Sequence, residues 1–282
     1  MTNEALEHAY NPRAAVPDHE RYREARVKRS ANFRARVPGQ LDLRYGEGER
    51  MLMDIFVPDP RDRPAPLVVF FHGGYWRAGD KREMSMMAEP LLDAGVAVAI
   101  PGYDLCPQVT VPQIMTQTRA AVAHLVRHGA TMGIQPHRLV VSGVSAGAHL
   151  AAACLSHDWT REELPGDLIQ GALLITGIYD PEVVVQLSVN AEIQLGEADV
   201  QPANMLAAPC LARCPVTVAA GGAEPPEWIA QSRDYAVKLR SDGLTAVDFR
   251  EIPGENHFSI TATLAEADSP LTRRLIELAH NA

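Results

Sequence analysis

A serine with glycines two places to either side, Gly143-Val144-Ser145-Ala146-Gly147, is the first stretch whose residue types could carry chemistry. It follows the apolar run Leu139-Val140-Val141 and leads into His149-Leu150-Ala151-Ala152-Ala153-Cys154-Leu155. A β-branched run, a G-x-S-x-G and an Ala-rich segment with helical spacing read as the strand, sharp turn and helix of a nucleophile elbow. Such a turn brings neighbouring backbone close to the chain, so residues without a β-carbon suit its flanks. A serine hydroxyl is a weak nucleophile at neutral pH and needs a base, and an acyl transfer also needs donors for the oxyanion.

The donors are expected upstream. His72-Gly73-Gly74-Tyr75-Trp76 follows directly on the apolar run Leu67-Val68-Val69-Phe70-Phe71. Consecutive glycines let backbone N–H groups converge on one spot free of side chains, so Gly73 and Gly74 are expected as donors. Ala146 is the third, because the residue after the nucleophile presents its N–H from the elbow. Among ten histidines the expected base is His257, in the polar loop Gly254-Glu255-Asn256-His257-Phe258-Ser259 after the last predicted strand. His72, beside the glycines, reads as structural, and His149, one turn into the elbow helix, as a packing residue. The acid is expected in Gly221-Gly222-Ala223-Glu224-Pro225-Pro226-Glu227, after the run Val216-Thr217-Val218-Ala219-Ala220. Glu224 stands at the turn and is the first candidate, while Glu227 suits the positive end of the helix that follows. Asp180, in Thr176-Gly177-Ile178-Tyr179-Asp180-Pro181, is the rival. Tyr75, Trp76 and Tyr103 are expected to wall a pocket, with ordinary packing an open alternative for Tyr103.

The elements that would position these groups alternate. Leu41–Tyr45 and Met51–Val57 read as an antiparallel hairpin at a sheet edge, and Pro58, Pro60, Pro64 and Pro66 as a stiff connector. Strands are then expected near 67–71, 96–100, 139–142, 171–176, 216–220 and 246–252. Helices are expected near 82–94, 112–128, 146–156, 227–241 and 271–279. This alternation predicts a doubly wound α/β sheet, mostly parallel, with helices on both faces. Residues 1–36 have a different character: Glu20 to Arg36 reads as one basic helix with a thin apolar stripe of Tyr22, Ala25 and Val27. It is either a solvated face or a flap over the mouth of the site. Residues 37–282 are expected as one domain, with an irregular excursion near 181–209 of the kind that forms a lid.

Composition narrows the function classes. At 282 residues, 46% hydrophobic, the chain can bury a large core, and its net charge of −9 argues against nucleic acid as a partner. The polar N-terminus Met1–His8 lacks the apolar core of a secretory signal, and no run approaches the roughly 20 apolar residues of a membrane span. Cys106, Cys154, Cys210 and Cys214 lack paired C-x-x-C spacing, so reduced thiols in a cytoplasmic protein and no metal site are expected. No cofactor is called for, and assembly as a homo-oligomer stays open.

With these residues in hand the chain resembles the α/β-hydrolase superfamily, and within it the kynurenine formamidase (arylformamidase) branch. The resemblance rests on Tyr10-Asn11-Pro12-Arg13, the His72–Trp76 loop, Tyr103-Asp104-Leu105-Cys106-Pro107, the elbow, Gly177-Ile178-Tyr179-Asp180, and Pro226-Glu227-Trp228 with Gln231-Ser232. It implies a Ser145, Glu224 and His257 triad, in the chain order serine, acid, histidine, acting on a small-molecule ester or N-formyl aryl amide. The departure is Glu224, where similar enzymes usually carry aspartate. A carbamate or other amide hydrolase would use the same residues, and a non-catalytic binding protein on this fold is the remaining alternative.

Overall fold

The computed structural model describes residues 3–59 and 64–282. Pro60 of the expected connector, and Met1 and Thr2 of the expected leaderless N-terminus, lie outside the described residues. The centre of the molecule is an eight-stranded sheet: β1 (Gln40–Arg44), β2 (Leu52–Phe56), β3 (Ala65–Phe71), β4 (Ala97–Pro101), β5 (Ile134–Val144), β6 (Ile169–Ile175), β7 (Val216–Gly221) and β8 (Val247–Ile252). Their order is β1-β2-β4-β3-β5-β6-β7-β8. β1 with β2 and β2 with β4 are antiparallel, and every later pair is parallel, so the hairpin sits at the edge as its alternation predicts.

The period of two along β3 sorts its side chains onto two cores. Val69 and Phe71 join one cluster with the helices Val111–His128, Ala146–Leu155 and Pro226–Ser241. Val68 and Phe70 join the other, with Phe33 of the helix His19–Arg36, Met84 and Met87, and Leu271, Leu275 and Leu278 of the helix Pro270–Asn281. All seven residues of β3 are buried, which is why its run is unbroken rather than alternating. β3 and β5 end side by side, with Phe71 opposite Gly143, so the loop after one strand and the elbow after the other emerge together.

Two elements differ from expectation. The stretch expected as one helix over 82–94 divides into a 3-10 turn, Lys81–Met87, and an α-helix, Ala88–Asp93. Pro90 has no N–H to give, and it therefore falls in the first turn of an α-helix rather than deep inside one. The strand expected over 139–142 runs from Ile134, its first half masked in the sequence by the polar Gln135-Pro136-His137-Arg138.

The N-terminal segment forms three helices, Asn3–Tyr10, Pro12–Ala15 and His19–Arg36. Of the long one's expected stripe only Tyr22 packs, stacked on Phe258 at 6.5 Å; Ala25 and Val27 are exposed, and the buried residues are Ser30 and Phe33. Phe33 anchors this helix in the core, and polar contacts hold the rest. Arg23 and Arg26 pair with Glu83 at 2.9 and 2.8 Å, the Ser30 hydroxyl donates to the Glu83 carbonyl at 2.7 Å, and Arg34 pairs with Asp54. Asp54, on β2, is fully buried and also receives Lys81 and the Asp42 N–H. A buried carboxylate costs several kcal/mol unless its oxygens are occupied, and these three donors occupy them. Among the described residues, no helix is long and apolar enough to cross a membrane.

Candidate active site

Ser145 leaves the end of β5 at φ 58°, ψ −122°, outside the regions an L-residue normally occupies, and the helix Ala146–Leu155 starts directly behind it. Its N–H is anchored to the Ile175 carbonyl at 2.8 Å. The elbow is tight enough that a β-carbon on Gly147 would come within 2.0 Å of the Phe71 carbonyl oxygen. Only glycine permits that approach. Ala148 and His149 donate to the Ser145 carbonyl at 3.0 and 3.2 Å, and Ala146 opens the helix, where the first N–H groups have no intrahelical acceptor.

The glycine loop after β3 lies against this elbow. A β-carbon on Gly73 would sit 2.8 Å from the Val144 carbonyl and 3.2 Å from Ser145 Cβ. The loop is closed by bonds from the Arg77 and Ala78 N–H groups to the Gly74 carbonyl, at 3.1 and 3.0 Å. His72 is buried beneath it, with Nδ1 2.8 Å from the Gly73 carbonyl and the ring stacked on Tyr103 at 4.2 Å. Burial pulls its pKa down to about 4, so the ring is neutral near pH 7. His72 is therefore a prop for the loop, as its position suggests. His149 is likewise buried and depressed to about 4, with Nε2 2.7 Å from the Ala203 carbonyl and Trp76 edge-on at 5.1 Å.

His257 is fixed by the turn around it. The Asn256 side chain accepts from the Phe258 and Ser259 N–H groups, both at 2.9 Å, and the Ser259 hydroxyl lies 2.9 Å from the Asn256 N–H. Trp228 packs edge-on against the imidazole at 4.7 Å. His257 Nδ1 lies 2.6 Å from Glu224 Oε1. A carboxylate only accepts, so Nδ1 carries the proton and Nε2 keeps its lone pair. Glu224 Oε2 also accepts from the Gly221 N–H at 2.7 Å. Asp180, the rival, is engaged elsewhere: its carboxylate caps the turn that follows by accepting from the Glu182 N–H and takes Asn204 Nδ2, both at 3.0 Å.

Ser145, His257, Gly73 and Gly74 line one cavity of about 140 Å³. Of the three aromatic residues expected to wall it, Tyr75 does so; Trp76 and Tyr103 are fully buried behind the loop, against His149 and His72. The outer wall comes from the N-terminal segment, through Asn11, Pro12, Arg13, His19, Arg23 and Arg26. The Tyr75 hydroxyl donates to the Tyr10 carbonyl, and Ser188 bonds Glu7, which ties this segment to the excursion expected over 181–209. That excursion contains the helices Asn190–Ile193 and Glu197–Ala203 and gives Val189 to the cavity.

The residues that sequence reasoning did not single out are Thr176 and Trp228, which surround the Glu224–His257 pair. Trp228 stood in the Pro226-Glu227-Trp228 signature, but Thr176 carries no signal beyond ending a strand. Among the described residues no group of three His, Cys, Asp or Glu could hold a metal ion. The four cysteines are free and buried, and burial raises Cys106, Cys154 and Cys214 to about 12.

A mostly parallel eight-stranded sheet, with a strained serine elbow after β5 and the histidine and acid loops at the same edge, defines an α/β-hydrolase fold. The comparisons give the same class. A family model described as BD-FAE matches residues 53–169. The kynurenine formamidase of Danio rerio is 33% identical over 290 residues, covering 99% of this chain and 97% of that protein. The kynurenine formamidase of Drosophila melanogaster is 33% identical, covering 83% and 79%. A solved structure from Silicibacter sp. TM1040, a proposed thioesterase, is 30% identical with a TM-score of 0.83 and covers 98% of each chain. The chain belongs to the kynurenine formamidase family of α/β-hydrolases, and is a hydrolase by class.

Proposed function

We propose that this protein is a serine hydrolase that cleaves N-formyl aryl amides or aryl esters through an acyl-enzyme on Ser145. The observation that carries the reading is the 2.6 Å bond between His257 Nδ1 and Glu224, with His257 and Ser145 on one cavity. Glu224 holds the imidazole in the tautomer that leaves Nε2 free to take a proton, and it stabilises the imidazolium once formed. Ser145 Oγ attacks the carbonyl carbon as its proton passes to His257, and the oxyanion is received by the N–H groups of Gly73, Gly74 and Ala146. Removing one such donor typically slows turnover about a hundred- to a thousandfold. The bond to the aryl amine or alcohol then breaks, and the leaving group takes the proton from His257. Water attacks the acyl-enzyme, giving one proton to His257, which returns it to Ser145 as formic or another carboxylic acid departs and ionises in solvent.

The relatives' name points to a formamide as substrate, and the cavity wall supports a charged one. Arg13, Arg23, Arg26 and Arg77 line it together with Glu20, Asp80 and Glu83, with Arg23 and Arg26 paired to Glu83 and Arg77 to Glu192, so the wall is polar and charged. In this reading residues 3–36 are the outer wall of the pocket rather than a solvated helix, and residues 37–282 carry the chemistry. The test is a panel of N-formylkynurenine, a short-chain nitrophenyl ester and an aryl carbamate, each with wild type and Ser145→Ala. Turnover of the formamide or the ester that vanishes in the variant is expected. No turnover of either, or turnover that survives Ser145→Ala, overturns the proposal.

A further inference from the structure

We propose that Thr176, immediately after β6, is a positioning residue for the Glu224–His257 pair, and that its hydroxyl fixes the glutamate in place. The inference rests on the hydrolytic reading above.

Thr176 is a β-branched residue at φ 47°, in the left-handed region that such side chains avoid. A backbone of this kind is strained and persists where its surroundings over-determine it. They do so here. The Thr176 N–H donates to the Ala219 carbonyl at 2.6 Å, and Trp228 Nε1 lies 3.1 Å from the Thr176 carbonyl. The conformation aims the hydroxyl at the acid, with Oγ1 2.5 and 2.6 Å from the two carboxylate oxygens of Glu224. The same oxygen is 2.9 Å from Trp228 Nε1 and 3.2 Å from His257 Nδ1.

Donor accounting fixes the direction of the bonds to Glu224. The indole N–H of Trp228 can only donate, and its one hydrogen is shared between the Thr176 carbonyl and hydroxyl oxygens, so it faces a lone pair of the hydroxyl. The carboxylate can only accept, so the single hydroxyl proton points at Glu224. Glu224 thus receives three donors in a buried pocket: Thr176 Oγ1, the Gly221 N–H and His257 Nδ1. A glutamate has one more rotatable bond than an aspartate, and so more ways to turn away from its histidine. Thr176 and Gly221 remove that freedom before the imidazolium charge develops, which is what preorganisation requires.

Steady-state kinetics on whichever panel substrate the wild type turns over test this, with Thr176→Val, Thr176→Ser, Trp228→Phe and Ser145→Ala. Valine keeps the branching and shape of threonine and removes only the hydroxyl. Thr176→Val is expected to lower kcat about ten- to a hundredfold, the loss of one hydrogen bond to a charged group, with KM little changed. Thr176→Ser is expected to recover most of that loss. If Thr176→Val does not fold, Trp228→Phe carries the test, since it keeps an aromatic ring against His257 but removes the donor that orients the hydroxyl; kcat is expected to fall with KM little changed. A Thr176→Val enzyme with wild-type kcat, a Thr176→Ser enzyme as slow as Thr176→Val, or a folded Trp228→Phe enzyme with wild-type kcat overturns the inference. In each case an inactive Ser145→Ala leaves the hydrolytic reading standing. Activity that survives Ser145→Ala overturns that reading, and this inference with it.

Discussion

Gly73 and Ser145 come from loops on neighbouring strands and are packed so closely that one added carbon on Gly73 would lie 3.2 Å from Ser145 Cβ. The same carbon would meet the Val144 carbonyl at 2.8 Å, so one of the two loops would have to move. Under the proposed mechanism, Gly73→Ala is expected to lower kcat by at least about a hundredfold, as for loss of an oxyanion donor, with the fold intact. Kinetics beside a circular-dichroism melt check this; a near-wild-type kcat would place the donors elsewhere.

The two candidate acids have different neighbours, and their variants separate them. Glu224→Gln puts an amide where three donors converge, and a fall in kcat of several hundredfold or more is expected from a misoriented His257. Asp180→Asn keeps an oxygen that can cap the turn after β6 and is expected to leave both stability and turnover nearly unchanged. Rates and urea midpoints for the pair are the measurement. Collapse of turnover in Asp180→Asn alone would reverse the assignment.

The anchoring of the N-terminal helix depends on a buried charge. Lys81→Met takes one cation from Asp54, which is fully buried and keeps only Arg34 and one N–H. Partial loss of a buried ion pair is expected to cost about 3 kcal/mol, read as a lower urea midpoint. A midpoint equal to wild type would mean that Arg34 and the Asp42 N–H satisfy Asp54 without Lys81.

Acid should destabilise the protein through two histidines. Burial depresses both His72 and His149 to about 4, below the ordinary value of 6.5. Between those values the unfolded chain binds protons that the folded chain refuses, so stability falls as pH falls from about 6.5 to 4 and the loss levels off below. The shift corresponds to a few kcal/mol for each ring, to order of magnitude. Urea melts at pH 7 and pH 5 are expected to differ less in His149→Gln, whose amide can still donate to the Ala203 carbonyl. An unchanged difference would remove His149 as a contributor.

Much of this arrangement was legible in the sequence because it is local. The run Leu67–Phe71, the elbow around Ser145 and the glycines at 73 and 74 each need a particular residue type at one place, and period and turn chemistry report that directly. The mostly parallel sheet follows from the alternation of such runs, while its strand order, with β4 between β2 and β3, came only from the structure. The longer β5 and the divided helix over 81–93 were less legible, since polar residues and Pro90 interrupt the pattern without ending the element.

What only the tertiary structure decided is which groups meet. Glu224 and Asp180 are both carboxylates beside strand-end turns, and nothing in either stretch says that one faces His257 while the other caps a turn. Trp76 and Tyr103 carry the same aromatic signal as Tyr75, yet they pack on His149 and His72 behind the loop. The basic helix finds its place through Glu83 and Asp54, which lie far from it in sequence. Thr176 reaches Glu224 across 48 positions and Trp228 across 52. Periodicity records how a residue sits relative to its own strand or helix; hydrogen bonds between separate loops depend on how those elements pack, and that is fixed only when the whole sheet has formed.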